Sequence, residues 1–295
     1  MTDITSTSRR RVLQLAAGVS VAAAMSGTMG ATAFAADEHQ AKVTQVRNAT
    51  LLIEYAGTRF LLDPMLGDVG GFPPFPKTPN QVSNPTAPLP VDIAELTKVD
   101  AVIVTHMHED HWDKAAQDAL DKALPIFVQD EADKKVVEGQ GFKDVRVLTP
   151  ETMFNGINLS RTKGLHGSKE TIAKLGENFG RVCGVAFKHP DHKSIYCVGD
   201  SVWNDHVADA ISTHKPDVII MPTGHAYVFG VGYLIPGAED TLIVHKAAPD
   251  AIIIANHMEA VNHCVDSRAQ VLAFADANGF LDKVRAPADG ETMTF

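Results

Sequence analysis

Cysteine is scarce: three residues among 295, at 183, 197 and 264, none in a closely spaced doublet. That excludes a disulfide-built scaffold, a zinc ribbon and a dithiol redox motif. The three read as small buried hydrophobes, with a Cys183–Cys264 bridge left open in an oxidising compartment. Basic residues are also short, 26 Lys+Arg against 36 Asp+Glu, for a formal net charge of −10. Proteins that grip nucleic acid neutralise phosphates with clustered Lys and Arg, so that class is set aside. No internal period stands out, which discards repeat architectures. What remains, 45% hydrophobic and 21% charged, is a chain that folds, with the length of one large domain or two small ones and no mark of a boundary.

The first 35 residues stand apart. Arg9, Arg10 and Arg11 precede an Ala-rich apolar stretch from Val12 to about Met29, and Ala33-Phe34-Ala35 forms a small-x-small cleavage site. That is the layout of a cleavable signal peptide, and Gly18, Gly27 and Gly30 break the apolar run, which makes an uncleaved anchor helix the lesser alternative. Ser8-Arg9-Arg10-Arg11-Val12-Leu13 resembles the twin-arginine export signal, whose route carries folded proteins. The expectation is a signal peptide over 1–35, a mature domain over 36–295 and a periplasmic location with no stable membrane insertion. Loss of three arginines leaves the mature chain more acidic still.

In the mature chain short β-rich runs alternate with helical stretches. VTQV, TLLIEYAG and RFLLD, from Val43 to Asp63, read as three strands, with Ala56-Gly57 turning the last pair. Residues 64–90 are too rich in Pro, Gly and Asn for regular structure. With Phe72 and Phe75 embedded, they read either as a flap beside an active site or as a loop packed on the surface. Val99–Thr105 is a buried strand leading through a polar turn into a helix from Asp113 to Leu124. PIFVQ, RVLT, INLSRT, SIYCV, DVIIM and AIIIAN continue the strands. Helices are expected at Ala132–Glu138, Val202–Ser212, Ala238–Ala247 and Ser267–Asn278.

The turn after Val99–Thr105 reads THMHEDHWD and packs His106, His108, Asp110 and His111 into six positions. Residues two apart at a strand end share a side, so His106 and His108 can hold one metal ion while Asp110 and His111 face a second. Two to four ligands do not complete two sites. His166 in GLHGS, Asp200 in CVGDS and His257 in ANHMEA each follow a predicted strand, and ligands gather outside strand ends in layered α/β proteins.

THMHEDH, a downstream GLHGS, then VGD, then a strand-end His together resemble the metallo-β-lactamase superfamily, over essentially all of residues 41–295. The resemblance implies a single-domain α/β fold, a four-layer αββα sandwich with a two-metal site at one edge of its paired sheets. It further implies that His106, His108 and His166 bind one ion, Asp110, His111 and His257 the other, and that Asp200 bridges both. Within the superfamily, NATLLIEYAGTRFLLDPM and IPGAEDT are similar to the branch containing the ascorbate-6-phosphate lactonase and the N-acyl phosphatidylethanolamine phospholipase. The leader and the Pro-rich insertion depart from that lactonase.

Two divalent cations sharing a water lower its pKa toward neutrality and supply hydroxide to a carbonyl carbon or phosphorus. The expected activity is therefore hydrolysis of a small ester, lactone, amide or phosphodiester. Asp110 would orient the hydroxide and pass on its proton. Zinc is the first expectation for the metal, with manganese or iron open to a protein loaded before export. His225, beside Gly224, Gly230 and Gly232, is a further candidate for substrate binding or proton donation, with Tyr227, Phe229 and Tyr233 as pocket-lining aromatics. His263 competes with His257 as a ligand, and His257 is preferred because it directly follows its strand. A periplasmic β-lactamase and a non-catalytic metal- or partner-binding protein are the alternatives.

Overall fold

The computed structural model describes residues 40–177 and 179–295; the expected leader lies outside them. The chain opens with a meander of β1 (Lys42–Arg47), β2 (Thr50–Tyr55) and β3 (Thr58–Leu62). Ala56 and Gly57 both take positive φ, 48° and 73°, the two-residue turn whose twist matches an antiparallel hairpin. β4 (Ala101–Val104), β5 (Pro125–Val128) and β6 (Asp144–Val147) then add in parallel, and β16 (Thr292–Thr294) returns to β1. The second sheet begins with β7 (Thr152–Phe154), β8 (Ile157–Lys163), β9 (Cys183–Lys188) and β10 (Ile195–Cys197), all antiparallel. β11 (Val218–Pro222), β14 (Ile252–Asn256) and β15 (Val284–Arg285) complete it in parallel. A ribbon of β12 (Tyr227–Val228) and β13 (Gly232–Tyr233) stands between β11 and β14 in the chain.

Alternation along the strands builds the layers. Ala101 and Ile103 of β4, with Val218 and Ile220 of β11, join Leu51, Ile53, Phe60 and Phe187 between the sheets. Val102 and Val104 point outward onto α2 (Lys114–Ala119) and α3 (Glu131–Gly139) through Ala116, Leu120 and Val137. Ile219 and Ile253 pack outward on α5 (Asp205–His214), α6 (Asp240–Ala247) and α7 (Arg268–Ala277) through Ile211, Val244 and Val271. The result is the αββα sandwich. Full burial of each such Leu, Ile or Phe contributes about 1.5–3 kcal/mol, so the two-sided burial of central strands supplies much of the stability.

Several boundaries differ from the sequence reading. The helix expected to reach Leu124 ends at Ala119, because Leu120 turns extended to fill the core beneath it. The helix expected from Val202 starts at Asp205, where the Asn204 side chain accepts the His206 N–H. Short helices α1 (Ile93–Leu96) and α4 (Lys169–Leu175), the latter capped by Ser168, were not expected. No helix among the described residues is long and apolar enough to cross a membrane.

Candidate metal centre

The rim where β4, β8, β10 and β14 end collects the donors. Past β4, the Thr105–Asp113 turn is braced by the His111 and Trp112 N–H groups donating to the His108 carbonyl. Asp113 then caps α2 through the Ala116 N–H and also accepts the Gly67 N–H, tying the turn to the base of the 64–90 loop. Gly199 takes φ 69° to turn β10 into Asp200, and a Cβ there would come within 2.3 Å of the Cys183 carbonyl oxygen. His257 follows β14 at φ 58°, its N–H donating to Asn48, whose own side chain donates to the Asp110 carbonyl. A non-glycine residue in left-handed backbone costs of order 1–3 kcal/mol and persists where surrounding structure enforces it.

All seven expected ligands meet. His106, His108 and His166 form one cluster and Asp110, His111 and His257 another, the donor atoms of each lying within 4.8 Å of one another. Asp200 Oδ2 sits between them, 3.1 Å from His111 Nε2, 3.3 Å from His257 Nε2 and 3.6 Å from His166 Nε2. The far ring nitrogens are held: His111 Nδ1 donates to Asp63 Oδ2 at 2.9 Å and His166 Nδ1 to the Leu234 carbonyl at 3.0 Å. That turns each Nε2 inward. His111 Nε2 lies 3.1 Å from His257 Nε2, a face-to-face approach of ring nitrogens suited to a shared cation. Asp63, absent from the sequence reading, also accepts from the Thr105 N–H and hydroxyl, and so fixes both sides of the turn.

Electrostatics divides the clusters. Burial drives His106 far below its ordinary pKa and His166 down to about 3, keeping both neutral. Burial opposes charge on His111 too, but the carboxylates of Asp200, Asp63 and Asp110 outweigh it and lift the pKa to about 10. His257 is raised likewise, chiefly by Asp200. Asp110 and Asp200, despite burial, are held well below the carboxylate range by His111 and His257. Protons here occupy positions a cation would take, and metal capture would release them. Neutral imidazoles on one side and buried carboxylates on the other make a donor set that fits divalent metal.

A cavity of about 570 Å³ opens over this floor. His108, Asp110, His166 and His263 reach it, while Phe75, Met107, Phe179, Val228, Val231 and Leu234 supply its walls. Phe179 lies 4.8 Å, ring to ring, from both His108 and His166. The 64–90 loop therefore forms a wall of the cavity, and Phe75 packs edge-on to His263 at 4.6 Å. His263 is buried, with its pKa pushed down to about 4 by burial, and belongs to neither cluster.

Three further groups lie outside the clusters. His225 is not a cavity residue: it stacks on Tyr233 at 3.5 Å with Nδ1 3.5 Å from Asp266, because Gly224 carries the chain too close to the His257 carbonyl for any side chain. Tyr227, Phe229 and Tyr233 pack on one another on the ribbon, while Val228, Val231 and Leu234 take the cavity side. The thiols are free: Cys183 donates to the Thr105 carbonyl and Cys264 to that of His257.

Residues 58–258 match the family model described as the Beta-lactamase superfamily domain, and the chain belongs to that superfamily. It is a metal-dependent hydrolase of the metallo-β-lactamase fold. The protein YddR of Bacillus subtilis (strain 168), named in the UPF0173 group, is 48% identical over 86% of this chain and 99% of its own. A UPF0173 metal-dependent hydrolase of Caldivirga maquilingensis is 28% identical over 60% of this chain and 67% of its own. Among solved structures, isothiocyanate hydrolase from Delia radicum gut bacteria superposes with a TM-score of 0.84 at 44% identity, covering 86% of this chain and 99% of the other.

Proposed function

We propose that this protein is an exported binuclear hydrolase that adds water to the central carbon of small isothiocyanates, R–N=C=S. The observation that carries the substrate is the likeness, over nearly its full length, to the isothiocyanate hydrolase from Delia radicum gut bacteria. This departs from the ester, lactone, amide and phosphodiester expectation. Much of the cavity wall is apolar, which suits an uncharged R group, with Lys77, Lys174 and Glu109 among its other lining residues.

His106, His108 and His166 would hold one ion, Asp110, His111 and His257 the other, with Asp200 between. Such ions, when bound, lower the pKa of water and polarise the group it attacks. The protein's own part is positioning. Phe179, Val231 and Leu234 bind R and exclude bulk water, and Asp110 on the cavity floor takes the proton released as the O–C bond forms. The N=C π electrons move to nitrogen, which is protonated, and the thiocarbamic acid divides into amine and carbonyl sulfide. The His-rich donors favour zinc, with manganese or iron as alternatives. Supporting export are the three N-terminal arginines and the Ala33-Phe34-Ala35 site, in a chain longer than the YddR it matches from end to end.

The test is amine release from benzyl isothiocyanate by purified holoenzyme, lost on chelation and restored by zinc. A metal-loaded enzyme releasing no amine overturns the substrate, and a metal-to-protein ratio near one rather than about two overturns the binuclear reading. Mass spectrometry of periplasmic protein should find Ala36 at the N-terminus, and an unprocessed cytoplasmic chain would refute export.

A further inference from the structure

His263 is the polar side chain on the cavity wall that the metal clusters leave unused. It is only 6% exposed, and its Nδ1 is buried without a hydrogen-bond partner among the described residues. Nε2 comes no nearer than 4.0 Å to Asp110 Oδ2, beyond hydrogen-bond distance. Nδ1 is sealed from the cavity, so the atom this lining residue offers to a bound molecule is Nε2, on the side next to Asp110 and with no hydrogen-bond partner among the described residues.

Its placement is strongly enforced. The neighbouring Asn262 accepts from the Phe75 N–H and the Asn84 amide, and donates to Thr78 Oγ1 and to the Phe75 and Asn80 carbonyls. The Asn262 N–H in turn donates to Asn84 Oδ1. This network staples the 64–90 loop to the segment between His257 and His263 and holds Phe75 against the His263 ring. The loop is fastened as a wall, and the wall fixes the imidazole.

We infer that His263 is a substrate-contacting catalytic residue rather than a metal ligand, hydrogen-bonding the N=C=S group from the side of the cavity next to Asp110. The assignment rests on the isothiocyanate reading and deepens it. A hydrogen bond to the heterocumulene nitrogen or sulfur gains strength as negative charge gathers there when water adds, so the contact acts on kcat more than on KM.

The experiment compares wild type, His263→Phe and His263→Gln as metal-loaded enzymes. Phe keeps the ring and its packing but removes the hydrogen bond; Gln restores a donor and acceptor near Nε2. Expected are unchanged metal content in both variants, a kcat for benzyl isothiocyanate lowered ~100-fold in Phe and less than ~10-fold in Gln, as for loss of one aligned donor. Metal loss in either variant would make His263 a ligand and overturn the inference, as would a Phe variant within threefold of wild-type kcat. Calorimetry with N-benzylthiourea, a stable mimic, separates the two proposals. If wild type binds it without turning over the isothiocyanate, the functional reading fails, while weaker binding by the Phe variant still supports His263 and equal binding overturns it. If wild type neither binds the mimic nor turns over the isothiocyanate, both fall.

Discussion

The two donor clusters stand side by side on one rim yet are built by opposite electrostatics. His106, His108 and His166 are an all-imidazole set, kept neutral by burial and backed by uncharged partners, Thr105 Oγ1 and the Leu234 carbonyl. Asp110, His111 and His257 are a charged set, in which carboxylates and imidazoles stabilise one another and Asp63 stands behind His111. The first cluster carries no charge of its own, whereas the second balances its carboxylates with raised imidazoles, so a metal bound there would displace protons. Asp200 belongs to both.

Removing what the clusters share should do most damage. Asp200→Asn is expected to lower kcat/KM by ~10³, about 4 kcal/mol of transition-state stabilisation, with metal lost from both sides; retention of both ions on elemental analysis would show that the clusters do not depend on it. The next largest effect separates them. His257→Ala strips buried Asp110 and Asp200 of their partner and should cost about 3–5 kcal/mol in apo-protein stability by denaturant melting, as for a broken buried ion pair. His108→Ala, in the neutral set, should cost apo-protein stability little while losing one ion. Equal losses would erase the contrast. Asp63→Asn should weaken metal binding by ~10–100-fold in competition titrations, since it removes the carboxylate that fixes the His111 tautomer. The smallest effect is expected from Phe179→Ala, an apolar contact worth about 1–3 kcal/mol to substrate binding, seen as a raised KM with kcat nearly unchanged.

The alternation of strands and helices and the THMHEDH quartet were legible from local signals, whereas the sandwich and the gathering of His166, Asp200 and His257 with that quartet were legible only through the family resemblance. Continuous apolar runs mark strands buried on two faces, and THMHEDH concentrates four donors within one turn. What the sequence did not distinguish depends on register between distant segments. β11 and β14 pair in parallel with Pro222 opposite Asn256. His257 is thus the first residue past its strand, whereas His225 lies two further on, where its backbone turns at φ 51° away from the cavity. In the sequence both simply follow a strand. Asp63 reads as the polar end of a strand until β3 and β4 pair and bring it under Thr105 and His111. Phe179 lies in a segment with no periodic pattern, so its packing on His108 and His166 has no local signature.

The donors enter from two sheets separated widely in the chain: His106 through His111 from β4, the other three from β8, β10 and β14. A nascent chain that has made only β1 to β6 can present the THMHEDH quartet and nothing more. Bringing all seven side chains together therefore requires both halves of the sandwich to have closed on each other.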